Sequence, residues 1–279
     1  SLIELNVNVG QVANNGYNNL QPPVCDDFLQ ADGTNGPSND DTDQITSFML
    51  DKTVIENGIN PPANTQILYF ENIQDRANTL NDIDITNFRN DITKNDVTNI
   101  NGGIQFPIYY KIVSTVNNNC QGLGQFMLQI DQVPSISTNT LAPISECDTG
   151  IIDGNQTNGS NQEIDLTVSE NEIFSGTGQN PNDFTVSYYK SDTAASIGDT
   201  NSSDYISDPT KFQNDVPTGF TPGDTVTQTI FVRVQNNATG CANPHSSFNV
   251  IINPAPTVNN IIQPLQVCDI GAKDGTTRN

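Results

Sequence analysis

Thr229-Ile230-Phe231-Val232-Arg233-Val234 puts Ile230, Val232 and Val234 on one face and Thr229, Phe231 and Arg233 on the other. A polar run, Asn236-Asn237-Ala238-Thr239-Gly240-Cys241, follows, and then Phe248-Asn249-Val250-Ile251-Ile252-Asn253-Pro254. Apolar residues at a period of two mark half-buried strands. The polar run is the turn between them, and Pro254 closes the second strand because proline lacks a ladder donor. Upstream, Thr185-Val186-Ser187-Tyr188-Tyr189 alternates in the same way, and so do Ile164, Leu166 and Val168.

The same pattern occurs earlier in the chain. Ile108, Tyr110 and Ile112 correspond to Ile230, Val232 and Val234, and Lys111 falls where Arg233 falls, pointing outward. Phe126, Leu128 and Ile130 form a closing strand before Pro134, and Thr65-Gln66-Ile67-Leu68-Tyr69-Phe70 matches the Tyr188 strand. Leu5, Val7 and Val9 read as the closing strand of a preceding unit. No segment has a helical period over eleven or more residues, although 87–95 and 208–215 have room for single turns.

Cysteines fix the period. Cys25-Asp26, Cys147-Asp148 and Cys268-Asp269 lie 122 and 121 residues apart, each followed by an Asp-Gly step at Asp32, Asp153 and Asp274. Cys120 and Cys241, each ending a polar turn, are 121 apart. A period this long means tandem domains, each about the size of one hydrophobic core. Strands at intervals with polar turns between them predict an all-β fold of tandem immunoglobulin-like β-sandwich repeats of about 121 residues. The expected units are 1–20 (end of a preceding repeat), 21–137 and 138–260 (complete repeats) and 261–279 (start of another). A β-solenoid needs far shorter periods, and none lies inside the unit.

Composition excludes several functions. Acidic residues number 32 against 10 basic, a net charge of −22, which disfavours nucleic acid because phosphate binding needs clustered Lys and Arg. Asn occurs 39 times, and Asn suits turns and left-handed backbone, so loops are long. Apolar residues are 34% but clustered, which fits small cores and not disorder. No apolar stretch reaches 18 residues, so no helix of this segment spans a membrane.

In a seven-stranded sandwich the chain start and the last hairpin share one end. Cys25–Cys120 and Cys147–Cys241 are therefore the expected disulfides. The rival pairing, Cys120–Cys147 with Cys241–Cys268, would staple neighbours, and free buried thiols are the third possibility. Persistent disulfides imply an extracellular location.

Each opening cysteine precedes a loop rich in side-chain oxygen. Asp26, Asp27 and Asp32 in the first unit, Asp148, Asp153 and Asn155 in the second, and Asp269 and Asp274 in the third are candidate calcium ligands. Calcium takes six to eight oxygens on a flexible loop, while the same residues also suit plain Asx turns. His245 is the only histidine, a loop residue without a partner for nucleophilic catalysis. One His and disulfide-spaced cysteines do not make a zinc site. Aromatic residues are few for a glycosidase cleft, and a Gly-rich phosphate loop is missing. No enzyme is expected.

The opening Cys-Asp…Asp-Gly, Val186-Ser187-Tyr188-Tyr189, Ile230 to Val234 leading to Asn-Ala-Thr-Gly-Cys241, and Phe248 to Pro254 together resemble the repeats of very large gliding-motility surface adhesins of Bacteroidetes, the SprB-like type. The first unit is more divergent, with no Thr-Gly before Cys120 and Asp131-Gln132-Val133-Pro134 at its close. The resemblance implies export by the type IX secretion system and a stalk or adhesive role in a cell-surface filament. Its partners would be the outer-membrane surface, the gliding machinery and an external substrate or polysaccharide, reached through other parts of the parent. It also implies O-glycosylation at Asp-Ser/Thr-hydrophobic sites, which Thr193 and Thr225 fit. The alternative is a carbohydrate-binding or accessory array of a secreted polysaccharide-degrading protein. That role needs an exposed aromatic platform, and of adjacent Tyr188 and Tyr189 one is expected to point outward.

Overall fold

The computed structural model describes residues 16–34, 43–116, 121–137, 139–149 and 154–256. The expected strand over Leu5–Val9 lies outside them, as do Cys120, Asp153, Cys268, Asp269 and Asp274.

The first module runs β1 (Val24–Cys25), β2 (Ser47–Phe48), α1 (Lys52–Ile59), β3 (Thr65–Phe70), α2 (Ile73–Asn78), β4 (Phe88–Arg89), β5 (Thr98–Ile100), β6 (Gly103–Ser114) and β7 (Gln121–Asp131). The second runs β8 (Ile144–Cys147), α3 (Glu170–Ile173), β9 (Phe184–Tyr189), α4 (Asp192–Ile197), β10 (Val226–Asn236) and β11 (Ala242–Asn253).

Both modules have the same sheet. The orders are β1-β7-β6-β3, with β5 beside β6, and β8-β11-β10-β9. In each, the strand ending in the opening cysteine lies parallel to the closing strand, and the other neighbours along the path are antiparallel. Alternation explains the core face. Ile104, Phe106, Ile108, Tyr110 and Ile112 of β6 are buried, and so are Phe126, Leu128 and Ile130 of β7. In the second module Val226, Ile230, Val232 and Val234 meet Phe248, Val250 and Ile252.

The fold is all-β with few and short helices, but the second layer is thinner than the expected seven-stranded sandwich. In the first module it is the β2–β4 pair and α1, whose Phe48, Phe88, Ile55 and Ile59 close the core. In the second, among the described residues, it is one bridge, Ile164 to Phe212, and helical turns. The strand expected over Ile164–Val168 therefore does not form. Leu166–Ser169 is a 3-10 turn running into α3, capped by Asp165, whose carboxylate accepts from the Thr167 N–H. Leu166 is buried and Val168 lies exposed, as a turn requires.

A small helix follows the Tyr-rich strand in both modules and covers the outer face. Tyr189 is thus buried beneath α4 with Ala194, Ala195 and Tyr205, and Tyr188 faces the main core. Neither tyrosine points outward, because α4 occupies the side that alternation alone would leave to solvent. Lys111 is likewise buried: its Nζ donates to Thr79 Oγ1 at 2.6 Å, at the left-handed C-cap of α2. Arg233, its counterpart, donates from Nη1 to the Ala195 and Ser196 carbonyls of α4, both at 3.1 Å. In both modules a cation therefore sits at the negative end of the covering helix.

The chain joins the first module ahead of residue 21. Leu20 bridges Met127, and the Tyr17 ring packs edge-on against Phe126.

Candidate functional site

The strongest constellation lies where the modules meet. The β10–β11 ladder shifts register between Val232 and Val234, which pair with Ser246 and Asn243. One extra residue on β11 makes a bulge, and Pro244 is tolerated there because a bulge frees the ladder position. The bulge aims Asn243 and His245 at the first module. Asn243 Nδ2 donates to the Pro134 carbonyl at 3.0 Å, and the His245 ring meets the Phe28 ring edge-on, centroids 4.4 Å apart.

The hairpin's first residue completes the contact. Cys241 Sγ is bonded to Cys25 Sγ, with the Cα atoms 5.5 Å apart, and lies 3.9 Å from the Asp131 carbonyl oxygen. The bond joins the opening cysteine of one module to the hairpin cysteine of the next. It replaces both expected pairs, Cys25–Cys120 and Cys147–Cys241, and is neither of the rival ones. The physical reason is the parallel pairing of β1 with the end of β7, Cys25 opposite Asp131. That register carries Cys25 to the exit of its own module, against the following hairpin. Cys147 is a free, exposed thiol.

The connecting segment is tied down along its length. Gln132 N–H donates to the Gly102 carbonyl at 2.8 Å. Gln179 grips Ser135 twice: its Oε1 accepts from the Ser135 N–H at 3.2 Å and its Nε2 donates to the Ser135 carbonyl at 2.6 Å. Ser137 N–H donates to the Ile173 carbonyl, and Ala142 N–H to Glu172 Oε2, both at 2.8 Å. Ile136 and Leu141 pack into the second core. A groove of about 390 Å³ runs beside this segment, lined in part by Leu141, Asn243 and His245.

The predicted calcium ligands that lie among the described residues do not gather into one cluster. Asp27 forms a two-toothed ion pair with Arg89, at 2.6 and 2.8 Å. Burial opposes ionisation of Asp27, but hydrogen bonds from Arg89 and Leu29 outweigh it and hold the carboxyl below its usual range. Asp32 and Asn155 are exposed and accept from residues two further on, Thr34 and Thr157. Among the described residues no group of three or more His, Cys, Asp or Glu side chains is placed to hold a metal ion.

Asp26 and Asp148 behave differently, and alike. Both are buried. Asp26 Oδ2 accepts from the Gln44 N–H at 2.9 Å, and Asp148 Oδ2 from the Gly159 N–H at 2.6 Å. Gln44 and Gly159 are both left-handed, at φ 64° and 76°. In both carboxylates Oδ1 is buried without a hydrogen-bond partner. Burial is the largest cause that pushes the Asp26 carboxyl up to about 7. An asparagine completes each device. Asn90 Oδ1 accepts from Thr46 N–H and its Nδ2 donates to the Gln44 carbonyl. Asn214 Oδ1 accepts from Asn161 N–H and its Nδ2 donates to the Gly159 carbonyl. Sequence reading found the aspartates and missed both asparagines, which are 124 positions apart in a chain with 39.

With this geometry established, the relatives are informative at one point. Residues 143–256 match the family described as the Flavobacterium inter-domain disulphide bond domain. The match covers the second module, and the description agrees with a bond that joins two modules. Together with the oxidised cysteine pair it supports a flavobacterial protein working outside the reducing cytoplasm. No curated protein matches the chain. Among solved structures, a SusE-like surface-located polysaccharide-binding protein of Bacteroides thetaiotaomicron aligns at 13% identity over 87% of this chain and 34% of its own, with a TM-score of 0.23. A Bacteroides ovatus protein of a mixed-linkage glucan utilization locus, solved with a heptasaccharide, aligns at 9% identity over 90% and 46%, with a TM-score of 0.18. Drosophila N-cadherin EC1-4 aligns at 10% identity over 68% and 42%, with a TM-score of 0.21. Likeness this low carries no argument, and the chain spans less than half the length of each of the three. Among the described residues no helix is long and apolar enough to cross a membrane.

Proposed function

We propose that this segment is a structural stalk of a secreted cell-surface filament, its modules clasped end to end so that bending at the junction is restrained. The observation that carries this reading is the Cys25–Cys241 bond across a connecting segment already held by Asn243, Gln179 and Glu172. These contacts restrain a joint that a flexible tether would leave free. β6 alone is 12 residues, ~40 Å at about 3.3 Å per residue, so modules in series gain reach quickly. The net charge of −22 opposes clumping of neighbouring stalks within about 8 Å at physiological salt.

In this reading the parent is an adhesin for gliding and surface attachment, exported by the type IX system. The segment acts by reach and restraint, with no catalysis of its own. O-glycans at Thr193 and Thr225, both exposed, are compatible with it. The carbohydrate-binding alternative loses its main candidate platform, since Tyr188 and Tyr189 are both buried. Calcium belongs to the proposal at the partnerless oxygens of Asp26 and Asp148, which a cation would satisfy. A melting temperature that rises with calcium over chelator supports that part, because a ligand binding only the native state must stabilise it. Identical melting curves remove it.

The stalk reading is tested by small-angle scattering of the chain with and without reductant. It predicts a narrow distribution of end-to-end lengths that broadens on reduction. A distribution already broad in the oxidised protein contradicts it.

A further inference from the structure

We propose that Asn101 is a self-modifying site: in the folded chain its side chain closes onto the Gly102 nitrogen and ages to isoaspartate, ahead of the other Asn-Gly steps that the structure describes. Glycine lacks the Cβ that shields the main-chain nitrogen of other residues, so an asparagine before it is open to this attack. The chain holds five such steps, at Asn15, Asn35, Asn57, Asn101 and Asn158, and the last three lie wholly among the described residues. Two of these three are held shut. Asn57-Gly58 lies inside α1, and the five-membered ring cannot form at helical backbone angles. The Tyr17 ring also closes over Gly58. At Asn158-Gly159 the nitrogen that must attack donates its N–H to buried Asp148 Oδ2 at 2.6 Å. Asn158 Oδ1 is tied to the Ser160 N–H at 3.0 Å, and Gly159 is packed against Phe220 and Val226.

Asn101-Gly102 has none of these restraints. The two residues are the whole loop between β5 and β6, both are exposed, and Gly102 is left-handed at φ 83°. Among the described residues neither the Asn101 side chain nor the Gly102 N–H has a hydrogen-bond partner. The two groups are therefore free to reach attack distance, about 3–3.5 Å. The Gly102 nitrogen bonds to Asn101 Cγ, and the side-chain amide nitrogen leaves as ammonia with the proton that Gly102 gives up. Water then opens the succinimide. Opening at Cγ gives aspartate, and opening at the main-chain carbonyl gives isoaspartate, in which the chain runs through Cβ and Cγ. Only water is consumed.

The consequence reaches the joint between the modules, and this part rests on the stalk reading. The Gly102 carbonyl accepts from the Gln132 N–H at 2.8 Å, at the start of the connecting segment. An isoaspartate lengthens the main chain by a carbon beside that carbonyl. Gly103, packed against the Ile130 carbonyl with no room for a Cβ, cannot shift to absorb the extra length. The Gly102–Gln132 bond is the contact that gives way, and the joint loosens with age.

The test ages the full oxidised chain at mildly alkaline pH and maps it with two proteases. Asn101→Gln, which would have to close a less favourable six-membered ring, is the control. The expected result is isoaspartate in excess of aspartate at Asn101, within the tryptic peptide 95–111, with several-fold less conversion at Asn57 and Asn158. Unfolding in urea should bring all three to similar rates, because the protection comes from the fold. Conversion of Asn57 or Asn158 as fast as Asn101 in the folded chain overturns the proposal. So does an Asn101 that keeps its amide in the folded chain over the time in which the unfolded chain loses it. Aged parent should also be cleaved within 132–143 several-fold faster than Asn101→Gln of the same age, both with the Cys25–Cys241 bond intact. Equal cleavage overturns the effect on the joint. The stalk reading is judged by scattering of fresh chain with and without reductant, so the two fail separately.

Discussion

At single residues, the buried Asp–Asn device sets local stability in both modules. Asn214→Ala strands the Asn161 N–H and the Gly159 carbonyl in a buried site. Each unsatisfied group costs roughly 1–3 kcal/mol, so a loss of that order or more is expected in denaturant melts, and the same for Asn90→Ala. A change within 0.5 kcal/mol, in the range of about ±0.5 typical of surface substitutions, would show that the device is ornamental. Gly159 is left-handed, and a Cβ there would lie 2.7 Å from Phe220 Cζ and Val226 Cγ2. Gly159→Ala should cost more than the ~1–2 kcal/mol of a left-handed alanine, since two core side chains must also move. Asp26 supplies a pH signature. With no cation bound, the folded chain keeps the Asp26 proton up to about 7, whereas the unfolded carboxyl releases it near 3.8, so the signature is read in chelator. The folded state therefore binds more protons between those values, and this contribution to stability is lost as pH rises through the window. Stepped-pH melts of Asp26→Asn should show a flatter profile from about pH 4 to 7 than the parent, and equal slopes would rule out this role for Asp26.

At the level of elements, the long strands were legible and the short covering pieces were not. Apolar alternation in β10, β11, β6 and β7 is sustained over enough residues to give only one reading, and each of these strands forms. Leu166 and Val168 alternate over too few residues to separate a strand from a turn, and Asp165, a good helix cap, decided the matter. The covering helix α4 spans six residues, under two turns, which is too short to show a helical period. Its presence reverses the reading of Tyr189, because a face left polar by alternation can still be covered by something else. The cations at positions 111 and 233 carried a usable signal. A basic residue repeated at the same place in two modules points to a repeated acceptor, here a helix C-terminus. Arg233→Ala should therefore loosen α4 selectively. Faster hydrogen exchange at amides 194–198, with β10 and β11 unchanged, is the expected result, and uniform protection across all of them would contradict it.

For the whole molecule, the repeat itself hid the disulfide. In the sequence Cys120 and Cys241 end equivalent polar runs one period apart, so Cys25 has the same patterned partner within its module and in the next. Spacing cannot separate the two, and only the parallel β1–β7 register, which delivers Cys25 to the module's exit, decides between them. The bond closes a separation of 216 residues, for which the chain-entropy model gives about 5 kcal/mol. That figure applies to an unfolded chain. Each module keeps its own core, so reduction acts mainly on the junction. Mild reductant should accelerate proteolysis within 132–143 several-fold while leaving the melting of either core nearly unchanged. The central claim, that one module's opening cysteine is bonded to the next module's hairpin, is tested most directly by non-reducing peptide mapping of the native chain. A Cys25 peptide joined to the Cys241 peptide is the predicted result, and Cys25 joined to Cys120, or Cys147 joined to Cys241, would contradict it.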